Sequence, residues 1–255
     1  MQLAHELVGH PDLPALVLVH GITENRRMWH PLIHRLAERH YVLSVDLRGH
    51  GDSDVCDPYD PMSYAGDVVE TAQSLGIERP LLIGHSLGGV VVSAYAAIAP
   101  CVGVVNVDQP LHLAGFQDAL RQLEPMLTGS QAEFEAAISM MFGAMNGALP
   151  ADEVARVDHL RGTLRQDVVL GTWDAVLHAS PEELDATVAA LAGALTVPYL
   201  SLHGIDPGPD YAGWLTGLIP SATVEVWPDL GHYPHLCQPD RFLARVAEFE
   251  AQVRG

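Results

Sequence analysis

The sequence predicts an α/β fold with a mostly parallel central sheet, helices on both faces and an inserted helical segment. Short apolar runs of strand length alternate with stretches whose apolar residues recur at helical spacing. The predicted strands are apolar along their whole length, which is typical of a parallel sheet covered on both faces. The alternation stops between residues 111 and 195, where only helical patterns occur, and resumes afterwards.

Four strands and three helices are predicted before the insertion. The strands cover residues 15–19, 41–45, 81–83 and 102–107, and the helices cover residues 28–36, 64–75 and 90–99. Pro100 stops the third helix, because proline cannot continue the helical hydrogen-bond pattern. This order is that of repeated strand–helix units, whose strands lie parallel in one sheet.

Residues 111–195 contain four helical patterns and no clear strand, so we expect an inserted helical cap. The strand rhythm returns at residues 197–203 and 223–226, with helices predicted over 211–218 and from Arg241 onward. The expected division is therefore one α/β core made of residues 1–110 and 196–255, with the cap at 111–195.

Composition excludes several classes of protein. The 255 residues include 32 acids and 13 bases, and a net charge of −19 disfavours binding to nucleic acid or an anionic membrane. The three cysteines are far apart, which argues against a disulfide framework or a zinc site. The beginning of the chain has no secretory signal pattern, and no apolar run reaches the ~20 residues of a membrane span. We therefore expect a cytoplasmic protein whose oligomeric state the sequence does not indicate.

Residues 84–88 read GHSLG, a G-x-S-x-G pattern between a predicted strand and a predicted helix. This context is that of a nucleophile elbow, in which a sharp turn lifts a serine hydroxyl clear of the sheet. Ser86 is then the candidate nucleophile. The backbone N–H of Leu87, at a helix N-terminus, is a candidate donor of an oxyanion hole.

Together with that pattern, three further motifs make the chain resemble the α/β-hydrolase family. They are His20-Gly21, residues 46–53 (DLRGHGDS) and Gly231-His232, in the order and spacing of the family. The resemblance covers nearly the whole chain and implies the α/β-hydrolase fold. It also implies that the backbone N–H of Ile22 is the second oxyanion donor, and that residues 46–53 stabilise a turn.

His232 is the candidate general base of a catalytic triad, chosen by position from 14 histidines. It follows the last predicted strand and Gly231, where the family places its catalytic histidine, and imidazole transfers protons near neutral pH. His235 is the alternative, although a structural role fits it better. His85, beside the serine, is expected to pack against the substrate pocket or line it.

Two aspartates are alternatives for the acid of the triad, which orients the histidine. Asp206 follows the strand that ends at His203-Gly204, the usual place in the family, but lies one residue too early. Asp108 follows the strand after the serine, where some family members, such as zearalenone lactonases, carry their acid. The sequence leans slightly to Asp206 and leaves both open.

The resemblance and these residues predict a serine hydrolase that cleaves a carboxylic ester or lactone through an acyl-enzyme on Ser86, without a metal or organic cofactor. The predicted substrate is a small to medium, largely apolar molecule, because the cap is rich in methionine and phenylalanine, with Trp173 as a candidate contact. Carbon–carbon bond hydrolysis, thioester hydrolysis, cofactor-free perhydrolysis and a ligand-binding receptor remain alternatives. Haloalkane dehalogenases and epoxide hydrolases are disfavoured, because they carry aspartate where Ser86 stands.

Overall fold

The computed structural model describes residues 1–254, apart from the side chain of Thr163; Gly255, the end of the predicted core range, lies outside. Its centre is a seven-stranded sheet in the order β1-β3-β2-β4-β5-β6-β7, in which β1 is antiparallel and the other strands are parallel. The strands are β1 (His5–Val8), β2 (Ala15–Val19), β3 (Tyr41–Val45), β4 (Leu81–His85), β5 (Gly103–Val107), β6 (Tyr199–His203) and β7 (Ala222–Val226). The predicted fold class is confirmed.

Helices cover both faces of this sheet. They are α1 (His30–Ala37), α2 (Pro61–Ser74), α3 (Leu87–Ile98), α4 (Ala114–Leu127), α5 (Gln131–Gly143), α6 (Ala151–Leu160), α7 (Gln166–His178), α8 (Pro181–Gly193), α9 (Tyr211–Leu218), α10 (Pro234–Cys237) and α11 (Pro239–Arg254). Two 3-10 helices, Arg26–Trp29 and Arg161–Thr163, precede α1 and α7.

The strands bury both of their faces, which explains why their sequences are apolar without alternation. In β2, Val17 and Val19 belong to the core under α2 and α3. Leu16 and Leu18, which point the other way, pack with residues of α1 and α11. All four side chains are fully buried.

The structure differs from the sequence prediction at several boundaries. Strand β1 was not predicted, because it is an edge strand whose residues are only partly buried and include His5 and Glu6. Helix α3 begins at Leu87 and not at residue 90, directly after the serine. Five α-helices, α4–α8, lie between β5 and β6, where four helical patterns were predicted.

The sheet brings the candidate residues to one edge. Parallel strands place their carboxyl ends on the same side, and Ile22, Ser86, Asp108 and Ile205 follow β2, β4, β5 and β6. Helices α4–α8, called the inserted helices from here on, follow β5 at this edge, and the chain returns to the start of β6 at the opposite edge. No helix within residues 1–254 has the length and hydropathy needed to cross a bilayer.

Candidate active site

Ser86 stands at a strained turn between β4 and α3. Its φ is +52° and its ψ is −125°, a left-handed conformation that costs a non-glycine residue ~1–3 kcal/mol. The neighbouring glycines permit the turn, because a Cβ on Gly84 would lie 2.0 Å from the Gly88 oxygen, and one on Gly88 would lie 2.3 Å from the Val19 oxygen. The hydrogen bond from Ser86 N to Val107 O (2.9 Å) fixes the turn to β5.

The backbone around Ser86 offers two candidate donors to an oxyanion. Leu87 is the first residue of α3, so its N–H has no acceptor within the helix. Ile22 lies in the loop after β2 and lines the same cavity as Ser86 and Leu87. This loop is held in place by His50, whose Nε2 donates to Ile22 O at 2.6 Å.

His232 is hydrogen-bonded to Asp108. Its Nδ1 lies 2.6 Å from Asp108 Oδ2, and both side chains are almost completely buried. The other carboxylate oxygen of Asp108 accepts hydrogen bonds from the N–H groups of Gly204 (2.7 Å) and Ile205 (3.1 Å). Asp108 therefore orients the imidazole, while its own position is fixed by the backbone after β6.

The electrostatics of this pair favour a carboxylate and a neutral imidazole. Burial lowers the pKa of His232, and this effect exceeds the opposite influence of Asp108. Burial opposes the charge of Asp108, but the hydrogen bond and charge of His232, with the two backbone N–H groups, hold its pKa below the usual value. A neutral imidazole beside an ionised aspartate can accept a proton from a serine.

Asp206, the acid that the sequence slightly favoured, lies elsewhere. Its side chain is exposed and its Oδ1 accepts a hydrogen bond from Gly208 N at 2.9 Å. The turn at residues 207–209 directs this carboxylate onto its own loop, at the border of the cavity. Of the two aspartates, Asp108 is the one that contacts His232.

His85, which the sequence leads us to expect either packed against the substrate pocket or lining it, does not line the cavity. Its side chain is fully buried, its Nε2 donates to His232 O at 2.8 Å, and its Nδ1 lies 3.4 Å from Glu24 Oε2. Both ring nitrogens thus face protein atoms behind the serine. His235, the alternative base, is also fully buried and contacts the sulfur of Met28.

The cavity beside Ser86 has a volume of about 460 Å³, which is in the range of small-molecule sites (roughly 300–1,000 Å³). Ile22, Leu87, Asp108 and His232 also line it. Trp173, the candidate substrate contact, lies in its wall and packs edge-to-face against Phe116 at 5.7 Å between ring centroids. Most of the remaining wall is apolar and comes from the inserted helices and the segments beside them: Leu113, Phe116, Met141, Phe142, Met145 and Val176.

Three residues near the site were not identified from the sequence. Gln109 and His112 line the cavity directly after Asp108, and the signal that points to them is their position after the end of a parallel strand. Glu24 is buried two residues after Ile22, and a single glutamate in a polar turn gives no such signal. Within the described residues, no group of His, Cys, Asp or Glu side chains is arranged to hold a metal ion.

One protein family matches most of the chain. The sequence profile of the alpha/beta hydrolase family matches residues 16–245. A pimeloyl-(acyl-carrier protein) methyl ester esterase of Pectobacterium atrosepticum is 30% identical over 259 residues, which cover 96% of each chain. Three uncharacterised mycobacterial proteins are 40% identical over 84 residues, which span only 25% of their own length.

Two solved esterases have the same fold. The structure of an esterase from Rhodococcus sp. ECU1013 has a TM-score of 0.75 and 25% identity, covering 98% of this chain and 94% of that one. A thermophilic esterase from Thermogutta terrifontis has a TM-score of 0.75 and 24% identity, covering 99% of this chain and 94% of that one. The methyl ester esterase and these two esterases are hydrolytic enzymes. A relative from Serratia proteamaculans, 27% identical over 94% of each chain, is instead named as a 2-succinyl-6-hydroxy-2,4-cyclohexadiene-1-carboxylate synthase. The chain belongs to the alpha/beta hydrolase family.

Proposed function

We propose that the protein is a serine hydrolase of carboxylic esters or lactones, with Ser86, His232 and Asp108 as its catalytic triad. The observation that carries this proposal is the 2.6 Å hydrogen bond that Nδ1 of His232 donates to the buried Asp108, while the side chain of His232 lines the same cavity as Ser86. The full-length relative named as a methyl ester esterase supports the reaction type.

The roles follow from the geometry. Asp108 holds Nδ1 of His232, which leaves Nε2 to take the proton of Ser86 as its oxygen attacks the carbonyl carbon. The backbone N–H groups of Ile22 and Leu87 stabilise the oxyanion. His232 returns the proton to the leaving oxygen, and the acyl-enzyme remains on Ser86. His232 then takes a proton from water as the water oxygen attacks the acyl group. It returns this proton to the oxygen of Ser86, which releases the acid and restores the serine hydroxyl.

We infer that the cap expected at residues 111–195 is formed by α4, α5 and α7, because these helices and the residues beside them contribute much of the apolar wall of the cavity. No lysine or arginine side chain is among the residues that line the cavity within the described chain, whereas Asp108 and Asp206 are. The preferred substrate is therefore a neutral, largely apolar ester or lactone of small to medium size, because an anion finds no partner charge in this wall.

The test is hydrolysis of short and medium p-nitrophenyl esters, an aryl lactone and an aryl thioester by the wild type and by Ser86→Ala. Loss of the nucleophile lowers kcat by roughly a millionfold on every substrate that the triad cleaves. Ser93→Ala is the matched control, because Ser93 is buried on α3 and does not line the cavity.

Ester or lactone hydrolysis that disappears with Ser86 supports the proposal. Equal activity in the wild type and Ser86→Ala contradicts the mechanism. Hydrolysis confined to the thioester contradicts the substrate class and leaves the triad in place.

A further inference from the structure

Glu24 contacts residues adjacent to three parts of the proposed catalytic machinery. Its Oε2 accepts a hydrogen bond from Gly21 N at 3.1 Å, directly before Ile22. Its Oε1 accepts one from the hydroxyl of Tyr233 at 2.7 Å, directly after His232. His85, directly before Ser86, places Nδ1 at 3.4 Å from Oε2.

His85 closes this network from the other side. Its Nε2 donates to the carbonyl oxygen of His232 at 2.8 Å, so one ring joins Glu24 to the backbone of the base. Gly21 is closely packed between Glu24 and Ser86. A Cβ on Gly21 would lie 3.1 Å from Glu24 Oε2 and 3.2 Å from Ser86 Cβ. A displacement of Glu24 therefore displaces the backbone on which these groups stand.

The carboxylate is buried and its charge is maintained. Only 1% of the Glu24 side chain is exposed. Burial opposes its ionisation, but His85, Arg161 and Tyr233 hold the pKa of Glu24 well below its usual value. Arg161 begins the 3-10 helix between α6 and α7. It donates to Tyr233 Oη at 2.6 Å, and its guanidinium lies 4.8 Å from the ring centroid of Phe142 in the cavity wall.

We propose that Glu24 is a positioning residue, which fixes the Ile22 oxyanion donor and the His232 base relative to Ser86. This inference rests on the proposed function. Glu24 does not line the cavity and touches no reacting atom. Its charge acts on the imidazolium that forms during the reaction, since a nearby carboxylate stabilises that cation.

The test compares Glu24→Gln with Glu250→Gln. Glu250 is the matched control, because it is a buried glutamate on α11 that pairs with His40 at 2.7 Å and does not line the cavity. In Glu24→Gln we expect kcat on the best ester to fall about 10- to 100-fold, since a misplaced oxyanion donor loses most of its effect. In Glu250→Gln we expect kcat to stay within about twofold of the wild type, as for an independent site.

The pH profile separates positioning from a purely structural role. Because Glu24 stabilises the His232 imidazolium, its neutralisation lowers the pKa of His232, and the acid limb of kcat/KM moves to lower pH. The limb of Glu250→Gln should stay in place. The other titratable groups near His232 are Asp108 after β5, His85 in β4, and Tyr233 and His235 on its own segment.

Tyr233→Phe provides a second variant if Glu24→Gln does not fold. It removes the hydrogen bond to Glu24 and the one from Arg161 and keeps the ring, so kcat should fall about 3- to 10-fold, as for the net effect of a typical lost hydrogen bond. If Glu24→Gln keeps the wild-type kcat and an unmoved acid limb, the inference is wrong while the proposed function stands. If Glu24→Gln does not fold, a wild-type kcat in Tyr233→Phe has the same meaning. An equal loss in Glu250→Gln also overturns the inference. A wild-type protein that cleaves no ester or lactone overturns the proposed function itself, and the inference with it.

Discussion

At the scale of single residues, the choice between two aspartates decides how the site works. Asp108 accepts three hydrogen bonds, one from His232 and two from backbone N–H groups, whereas Asp206 caps its own turn. In Asp108→Asn, the amide oxygen keeps the Gly204 and Ile205 bonds and its NH₂ group faces His232. This arrangement selects the wrong tautomer of the imidazole.

We therefore expect kcat for ester hydrolysis to fall by about 10⁴ in Asp108→Asn. Asp206→Asn is the matched control, and its kcat should stay within about threefold, since an exposed turn aspartate contributes little. Steady-state kinetics on one p-nitrophenyl ester decides between them. A larger loss of kcat in Asp206→Asn than in Asp108→Asn contradicts the assignment of Asp108 as the acid of the triad.

The sequence indicated Ser86 and His232 because each stands in a local pattern, a strand-to-helix turn and a glycine after the last strand. The acid has no such pattern. Both aspartates follow strands that end at the same edge, and their spacing to His232 says nothing about side-chain direction. The sequence indicates the role of Glu24 even less, because its hydrogen-bond partners are 3, 61 and 209 residues away in the chain.

At the scale of elements, the turn between β4 and α3 depends on the absence of side chains. A Cβ on Gly84 overlaps the Gly88 carbonyl, while a Cβ on Gly66, inside α2, meets no atom within 4 Å. Gly84→Ala should therefore lower the free energy of unfolding by at least ~1–3 kcal/mol and reduce kcat, as overpacking does.

Gly66→Ala is the matched control for Gly84→Ala, and we expect it to raise the free energy of unfolding. Alanine in an open helical position stabilises by about 0.5–1 kcal/mol relative to glycine and should leave kcat unchanged. Urea unfolding at pH 7.5 measures both variants. A Gly84→Ala protein as stable and active as the wild type is incompatible with the turn described here.

The central strands and most of the helices that cover them could be predicted, because the spacing of apolar residues follows which faces of an element are buried. Both faces of β2, β4 and β5 are buried, so these strands are apolar along their whole length. The periphery was harder. Strand β1 has one partner and half-buried residues, so neither alternation nor a full apolar run marks it. The inserted helices bury only stripes against one another, and a short break such as residues 161–165 between α6 and α7 is hard to detect in such a pattern.

At the scale of the whole molecule, buried histidines make the fold sensitive to acid. Burial lowers the pKa of both His50 and His203 to about 4. Below pH 6.5 the unfolded chain binds protons at these residues and the folded chain does not, so stability falls as the pH falls. For these two residues the loss between pH 7 and pH 5 is about 3–4 kcal/mol.

The net charge of −19 acts in the opposite direction. Mutual repulsion of the acids destabilises the fold near neutral pH and weakens as carboxylates take up protons. Thermal unfolding at pH 7, 6 and 5 in ~0.5 M NaCl, which screens the repulsion over a few ångströms, isolates the contribution of the histidines. We expect Tm to fall toward pH 5 at this salt concentration, and a Tm that is constant or rises is inconsistent with neutral buried histidines.

Covalent labelling of Ser86 tests the central claim most directly. An organophosphate ester such as paraoxon phosphorylates an activated serine, because the oxyanion donors and the histidine assist the attack as they assist acyl transfer. Intact-protein mass spectrometry should show one phosphoryl adduct on the wild type, with peptide mapping to Ser86, none on Ser86→Ala, and slow labelling of Asp108→Asn. Equal labelling of the wild type and Ser86→Ala, or an adduct that maps to another serine, contradicts the account.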